Sequence, residues 1–101
     1  MRIITKGVIM EFAKKHIQAS IPLNDWYRKT MEANWNNFNE VRNTFNTADY
    51  VGNDRYVFNI GGNNFRLVAM IHFKVRTVYI RRILTHVEYT VLSKGGNINL
   101  L

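Results

Sequence analysis

The sequence predicts an α+β fold in which helices come first and a small antiparallel sheet follows. Apolar residues recur at helical spacing up to about residue 45, and from Arg55 the period changes to two, which is typical of half-buried strands. Between two such strands, Gly61-Gly62-Asn63 can supply the positive φ angles of a tight hairpin. A chain of 101 residues with 47% hydrophobic residues has room for one modest core. We therefore expect a single domain.

The first half is expected to hold one strand and two or three helices. Arg2 to Thr5 is β-branched enough for a short edge strand, and Thr5 can cap a helix from about Lys6 to Ile17. A second helix should start near Pro22, since proline suits the first turn of a helix. Both tryptophans are expected to be packing residues. The spacing of Asn37 and Glu40 resembles a capping box for a further short helix, and Asn46 to Asp54 is predicted to be a loop.

Three strands and a last helix are expected in the second half. The alternating apolar positions that should face the core are Tyr56, Phe58, Ile60, Phe65, Leu67, Ala69, Ile71, Phe73, Val78 and Ile80. Arg66 and Arg81 fall on the opposite face and are expected to share one surface. The Thr-x-x-Glu pattern of residues 85–88 predicts a capping box, so that His86 and Tyr89 would lie on one face of a short C-terminal helix.

Composition limits the classes of protein that this chain can be. No apolar run approaches the roughly 20 residues that cross a bilayer, and residues 1–10 do not resemble a signal peptide, so we expect a cytoplasmic protein. The absence of cysteine excludes disulfides and a thiol nucleophile. No histidine or carboxylate pair has metal-ligand spacing, and we expect neither a metal nor a cofactor. The domain should span 1–92, and 93–101 is predicted to be a flexible tail.

Charge is the first indication of function. The net charge is +7, and no acidic residue occurs from Arg55 through His86. The basic residues of that stretch are Arg55, Arg66, Lys74, Arg76, Arg81 and Arg82. Such a surface is expected to meet a polyanion, which can be RNA, DNA or an acidic protein. The alternative that a basic face only maintains solubility stays open.

The candidate site consists of Arg66, Arg81, His86 and Tyr89, with Asn59 nearby. Cleaving RNA without a metal requires a base for the 2′-hydroxyl, an acid for the leaving 5′-oxygen and cations for the charged transition state. Histidine titrates near neutrality and can act as a base or an acid. Arginine can donate two parallel hydrogen bonds to phosphate oxygens, and tyrosine can donate a proton or stack on a base. The same residues can instead be a surface histidine, partner-binding arginines and a core aromatic. On spacing alone, a nuclease is one option among several.

Three motifs resemble the HigB toxin family. They are Arg55–Val68 (RYVFNIGGNNFRLV), Val78–Arg81 (VYIR) and Thr85–Tyr89 (THVEY). Upstream residues that also resemble the family are Trp26-Tyr27, Ala33, Trp35, Val41, Phe45 and Ala48-Asp49. The pattern is long and specific, and it covers nearly the whole chain up to Tyr89.

The resemblance implies a RelE-like fold and ribosome-associated cleavage of messenger RNA. It further implies metal-free chemistry that leaves a 2′,3′-cyclic phosphate and a 5′-hydroxyl, and inhibition by a helix-turn-helix antitoxin of the HigA type. On this chain Arg66 and Arg81 would hold the scissile phosphate, while His86 and Tyr89 would share the proton transfers. Further residues expected to bind RNA are Arg55, Asn59, Lys74, Arg76 and Arg82.

The chain departs from the family pattern at Arg82-Ile83-Leu84 and at Thr90. Strict alternation would turn Arg82 toward the core, so a β-bulge, a strand end or a snorkelling side chain is expected there. These departures are compatible with a weakened toxin. The sequence is also compatible with a non-catalytic module that binds RNA, DNA or an antitoxin, and with a RelE-fold toxin that acts on a protein such as gyrase.

Overall fold

The computed structural model describes all residues from Met1 to Leu101. Its helices and strands are β1 (Arg2–Ile4), α1 (Lys6–Lys15), α2 (Ser20–Glu32), α3 (Phe38–Thr44), β2 (Asp49–Gly52), β3 (Arg55–Ile60), β4 (Phe65–His72), β5 (Thr77–Thr85) and α4 (His86–Lys94). Short 3₁₀ turns cover Ile17–Ala19, Phe73–Val75 and Ile98–Leu100. The α+β prediction is confirmed.

One five-stranded sheet organises the fold, in the order β1-β5-β4-β3-β2. Its strands pair antiparallel except that β1 runs parallel to β5, so the sheet is mixed rather than purely antiparallel. The prediction of a loop over Asn46 to Asp54 is wrong at β2, which pairs with β3. Aspartate and glycine are depleted in strands, so the residues of β2 have little intrinsic strand preference. The strand forms because these residues pair with β3.

Helices α1 to α3 pack on one face of the sheet around an aromatic centre. Trp26, Trp35, Phe45 and Phe58 form this centre, and neighbouring ring centroids lie 5.4 to 6.5 Å apart. Both tryptophans are almost fully buried, which confirms that they are packing residues. The indole of Trp35 also donates a hydrogen bond to the Thr44 hydroxyl at 3.0 Å. None of the helices is both long enough and apolar enough to span a membrane.

Helix boundaries differ from the predictions by a few residues. Helix α1 ends at Lys15 and not at Ile17, because a 3₁₀ turn follows, and α2 begins at Ser20, so that Pro22 lies within its first turn. Half of the capping box expected at Asn37 is present, since the Asn37 side chain accepts a hydrogen bond from the Glu40 backbone N–H at 3.1 Å. The Glu40 carboxylate accepts instead from the backbone N–H of Asn36, at 2.8 Å.

The second face of the sheet is covered by α4 and the residues after it, and it is named here the outer face. Val57, Val68 and Leu84 of the strands are buried there together with Ile98. Helix α4 continues past residue 92 to Lys94, and the chain then folds back on the sheet, while the flexibility of residues 93–101 stays a prediction. Glycines near residue 95 suggested mobility, but Gly96 adopts φ +70° and turns the chain so that Ile98 covers apolar surface.

A β-bulge interrupts β5 at the position expected from the sequence. Val68 pairs with Arg82, while the next residue, Ala69, pairs with Ile80, so Arg81 has no partner on β4. Because the extra residue shifts the alternation, Arg82 is exposed rather than turned into the core. Of the three alternatives expected at Arg82, the structure shows the bulge.

The β3–β4 hairpin depends on glycine, and replacing Gly62 by alanine is expected to destabilise the fold by about 1 kcal/mol. Gly62 has φ +69°, a conformation in which a Cβ is strained although no atom lies within 4 Å of it. The matched control is Gly7→Ala, since Gly7 lies in α1 with equally open space. That change should stabilise by roughly 0.5 kcal/mol. Urea unfolding of both variants measures the difference, and equal effects would contradict the explanation.

Candidate functional site

Arg66 lies on the outer face of β4, opposite Asn59 of β3 and Leu84 of β5. It is only 9% exposed. Its Nη1 donates hydrogen bonds to the carbonyl oxygens of Asn63 (3.0 Å) and Phe65 (3.2 Å), and Nη2 donates to Asn63 Oδ1 at 3.4 Å. All these acceptors are neutral. A largely desolvated cation without a negative partner is therefore held in a fixed orientation, which prepares it to bind an anion.

Tyr89 of α4 is the aromatic partner of Arg66. The guanidinium Cζ of Arg66 lies 5.3 Å from the centroid of the tyrosine ring, which is a cation–π arrangement. Tyr89 is half-buried and packs against the apolar residues of the outer face. The contact brings α4 and β4 together, and the structure thereby places two of the candidate residues side by side.

His86 is the first residue of α4, and its side chain is exposed. Its backbone N–H donates to the carbonyl oxygen of Asn64 at 3.0 Å, which fixes the start of the helix to the hairpin that holds Arg66. The predicted capping box is confirmed: the Thr85 hydroxyl accepts from the Glu88 N–H at 3.2 Å, and the Glu88 carboxylate accepts from the Thr85 N–H at 2.8 Å. His86 and Tyr89 are three residues apart and so lie on one helix face.

Arg81 lies on the bulge of β5, about 10 Å along the strand from the residue that pairs with Arg66. Its side chain is on the outer face, where Nε donates to the carbonyl oxygen of Leu101 at 2.8 Å. Leu101 packs against the apolar residues of the outer face. The two arginines thus share a surface, as the alternation predicted, but they do not lie close enough together to contact the same small ligand.

The structure disperses the other residues that were expected to bind RNA. Lys74 and Arg76 lie in the turn after β4, about 20 Å along that strand from Arg66. Arg76 donates to the carbonyl oxygens of Trp35 (2.8 Å) and Phe73 (3.1 Å), so it fastens this turn to the α2–α3 loop.

Arg55 and Arg82 form no hydrogen bond with Arg66 or its partners. Arg55 donates to the carbonyl oxygen of Asn53 at 2.9 Å at the start of β3. Arg82 lines a shallow cleft beside α1, together with Glu11 and Lys15. Asn59 adjoins Arg66 directly across the β3–β4 pairing, and Arg82, which pairs with Val68, lies two positions along β5 from the residue that pairs with Arg66. Contact of these residues with RNA stays a prediction.

Asn63 and Asn64 hold the candidate site together, whereas sequence reasoning gave Asn63 only a place in the hairpin turn and gave Asn64 no role. The positive φ angles of that turn are at Gly61 and Gly62 and not at Asn63. Asn63 accepts from Arg66 through both its carbonyl and its side-chain oxygen, and it also accepts from Asn59 Nδ2 at 3.5 Å. Asn64 fixes the start of α4. Their position directly after the Gly-Gly pair, and two or three residues before Arg66, was the available signal. Turn residues of this type often form hydrogen bonds with nearby backbone and side chains.

None of the basic residues from Arg55 onward forms a salt bridge. The salt bridges all lie on α2, where Arg28 and Lys29 contact Asp25 and Glu32. Hydrogen bonds from Lys29 and Arg28 lower the pKa of Asp25 below its usual value. No group of three histidine or acidic side chains is arranged to hold a metal ion. The outer face therefore presents arginines whose positive charge no acidic side chain of the chain neutralises.

The chain is a basic α+β domain in which a desolvated arginine lies against a tyrosine, with His86 three residues before that tyrosine. A sequence model of the HigB toxin family, described as the RelE-like toxic component of a toxin-antitoxin system, matches residues 19–92. The chain is 32% identical over 96 residues to the mRNA interferase HigB of Escherichia coli O6:H1 (strain CFT073), an alignment that covers 93% of each chain.

Other relatives have a higher percentage identity to this chain over a shorter segment. The mRNA interferase toxin HigB of Escherichia coli strain K12 is 56% identical over 34 residues, which is 34% of this chain and 33% of the relative. The mRNA interferase HigB of Shigella flexneri gives the same values. This chain belongs to the HigB toxin family, and its mixed α+β architecture is RelE-like.

Proposed function

We propose that this chain cleaves messenger RNA within translated messages and thereby arrests growth. The observation that supports this most directly is the fixed guanidinium of Arg66, which has only neutral partners and lies against Tyr89 near the start of α4. A phosphodiester supplies the missing negative charge. The relatives bear the name mRNA interferase, which indicates the same substrate.

The proposed reaction is an internal transesterification. The 2′-hydroxyl loses its proton and attacks the adjacent phosphorus, and the bond from phosphorus to the 5′-oxygen breaks. That oxygen takes up a proton, so the products are a 2′,3′-cyclic phosphate and a 5′-hydroxyl. Arg66 stabilises the charge that develops on the phosphoryl oxygens. His86 and Tyr89 share the two proton transfers, and Arg81 binds the RNA further along the outer face, where its terminal nitrogens donate to no protein acceptor.

The partners follow from the same charges. A basic face whose arginines form no salt bridge suits ribosomal RNA as well as messenger RNA, which supports cleavage on the ribosome. As the toxic component of a toxin-antitoxin pair, the chain would be neutralised by an antitoxin, which we propose is of the helix-turn-helix HigA type.

The test is to induce the protein in a bacterial host and map RNA 5′ ends across translated messages, with and without an inhibitor of translation initiation. We expect new internal ends that carry 5′-hydroxyls and that disappear when translation stops. His86→Ala should reduce cutting by roughly 10²- to 10⁴-fold, the range for a general acid or base. The matched control is His72→Ala, because His72 is exposed at the opposite end of β4 and contacts Tyr79.

Two different functions predict different results. Growth arrest with intact messages would favour a protein target such as gyrase. Salt-dependent RNA binding without any cuts would favour a non-catalytic module. Cuts by the His86→Ala variant at the wild-type rate would remove that histidine from the mechanism.

A further inference from the structure

A polar cleft adjoins Arg66 on the side of the hairpin. Thr47, Asn59, Gly62 and Asn63 line it, and its volume is about 340 Å³. No charged and no apolar side chain lines the cleft. Gly62 leaves its side open, since no atom lies within 4 Å of the position that a Cβ would take. A cleft of this composition offers no cation to a second phosphate and no apolar surface to an apolar anchor.

Hydrogen bonds within the protein determine which side-chain amide atoms of Asn59 and Asn63 remain available to a ligand. Asn63 Oδ1 accepts from Arg66 Nη2 at 3.4 Å and from Asn59 Nδ2 at 3.5 Å. This oxygen is therefore occupied, whereas Asn63 Nδ2 and Asn59 Oδ1 have no protein partner. The Thr47 hydroxyl is also free of protein partners. The cleft thus presents amide donors, an amide acceptor and a hydroxyl beside the guanidinium.

We propose that this cleft is a nucleobase-binding subsite, which rests on the proposed cleavage of RNA. Each base displays adjacent donors and acceptors on its edge, and paired amide groups recognise such edges. Arg66 holds the phosphate, and the base of an adjoining nucleotide enters the cleft. The geometry gives Asn59, Asn63 and Thr47 the role of reading that base, so that the cleft contributes to sequence preference.

The experiment is an NMR titration of the full-length protein, with ¹⁵N labelling of side-chain amides and of Arg Nε. The probes are the four ribonucleoside 5′-monophosphates, and ribose 5-phosphate serves as the probe without a base. We expect all five to shift the Arg66 Nε resonance. Only the nucleotides should shift the Nδ2 resonances of Asn59 and Asn63, and their affinities should differ among the four bases.

Variants test whether the lining side chains cause the preference. Asn59→Ala and Thr47→Val should each reduce the ratio of the affinities for the best-bound and the worst-bound nucleotide by about 2- to 10-fold, which is the effect of one neutral hydrogen bond. The controls are Asn24→Ala and Thr5→Val, which make the same chemical changes at exposed positions, one on α2 and one at the residue before α1, where the Thr5 side chain forms no capping hydrogen bond. These controls should leave the preference unchanged.

The outcomes separate this inference from the proposed function. If ribose 5-phosphate binds as tightly as every nucleotide and the amide resonances do not move, the cleft reads no base and the inference is wrong, even where messages are cut. If the nucleotides bind in the cleft with unequal affinities while messages stay intact in cells, the subsite stands and mRNA cleavage fails.

Discussion

Replacing Arg66 by alanine is expected to lower RNA cleavage by at least about 10²-fold, the loss typical of removing one preorganised group that stabilises transition-state charge. The guanidinium is held by three hydrogen bonds to neutral oxygens and by the ring of Tyr89, so it needs little reorganisation when the phosphate binds. The measurement is single-turnover cleavage of a translated message on purified ribosomes, together with growth arrest after induction.

Two further variants make this result specific to the fixed guanidinium. Arg66→Lys keeps the charge but loses the planar fork, and we expect it to recover only part of the activity. Arg28→Ala removes an arginine that is exposed and already ion-paired on α2, so its cleavage rate should equal that of the wild type. Thermal unfolding must show that Arg66→Ala is folded. A folded variant with full activity would contradict the assignment of Arg66 to the phosphate.

Replacing Ile98 by alanine is expected to destabilise the protein by roughly 2 to 5 kcal/mol, the range for truncating a buried isoleucine. Ile98 is 5% exposed and packs with Val57, Val68 and Leu84, which α4 and the tail shield from water on this face. Its loss leaves a cavity over the outer face of the sheet. Urea unfolding followed by circular dichroism measures the change in the free energy of unfolding.

The control for Ile98 lies two residues away in the same 3₁₀ turn. Leu100 is 68% exposed, so Leu100→Ala should change the free energy of unfolding by no more than about 0.5 kcal/mol. The pair separates packing of the tail from a general effect of changing it. Equal, small effects of both substitutions would mean that residues 93–101 are mobile in solution, as their composition suggests.

Local patterns predicted much of the fold. The change of period at Arg55, the Gly-Gly turn and the Thr85–Glu88 capping box each depend on residues close in sequence, and each is present in the structure. The bulge near Arg82 was also predictable, since two adjacent arginines interrupt an alternating strand. Alternation likewise placed Arg66 and Arg81 on one face.

Contacts between distant parts of the chain were not predictable in this way. Strand β2 has little intrinsic preference and exists through its pairing with β3. Arg76 resembled a nucleic-acid contact, yet its side chain reaches Trp35, 41 positions earlier in the sequence. The hydrogen bond from Arg81 to Leu101 spans 20 positions, and the composition of residues 93–101 does not predict it.

By itself, the sequence determined the α+β class, the basic outer face and the identity of the residues available for chemistry. Those properties depend on periodicity, charge and local capping, which a chain carries before it folds. Only the tertiary structure decided which of these residues meet. It brought Arg66, Tyr89 and the two asparagines Asn59 and Asn63 together, and it placed Lys74 and Arg76 at the far end of the sheet. The reason is that the proximity of residues far apart in sequence depends on strand order and packing. Both are set by long-range contacts and not by local patterns.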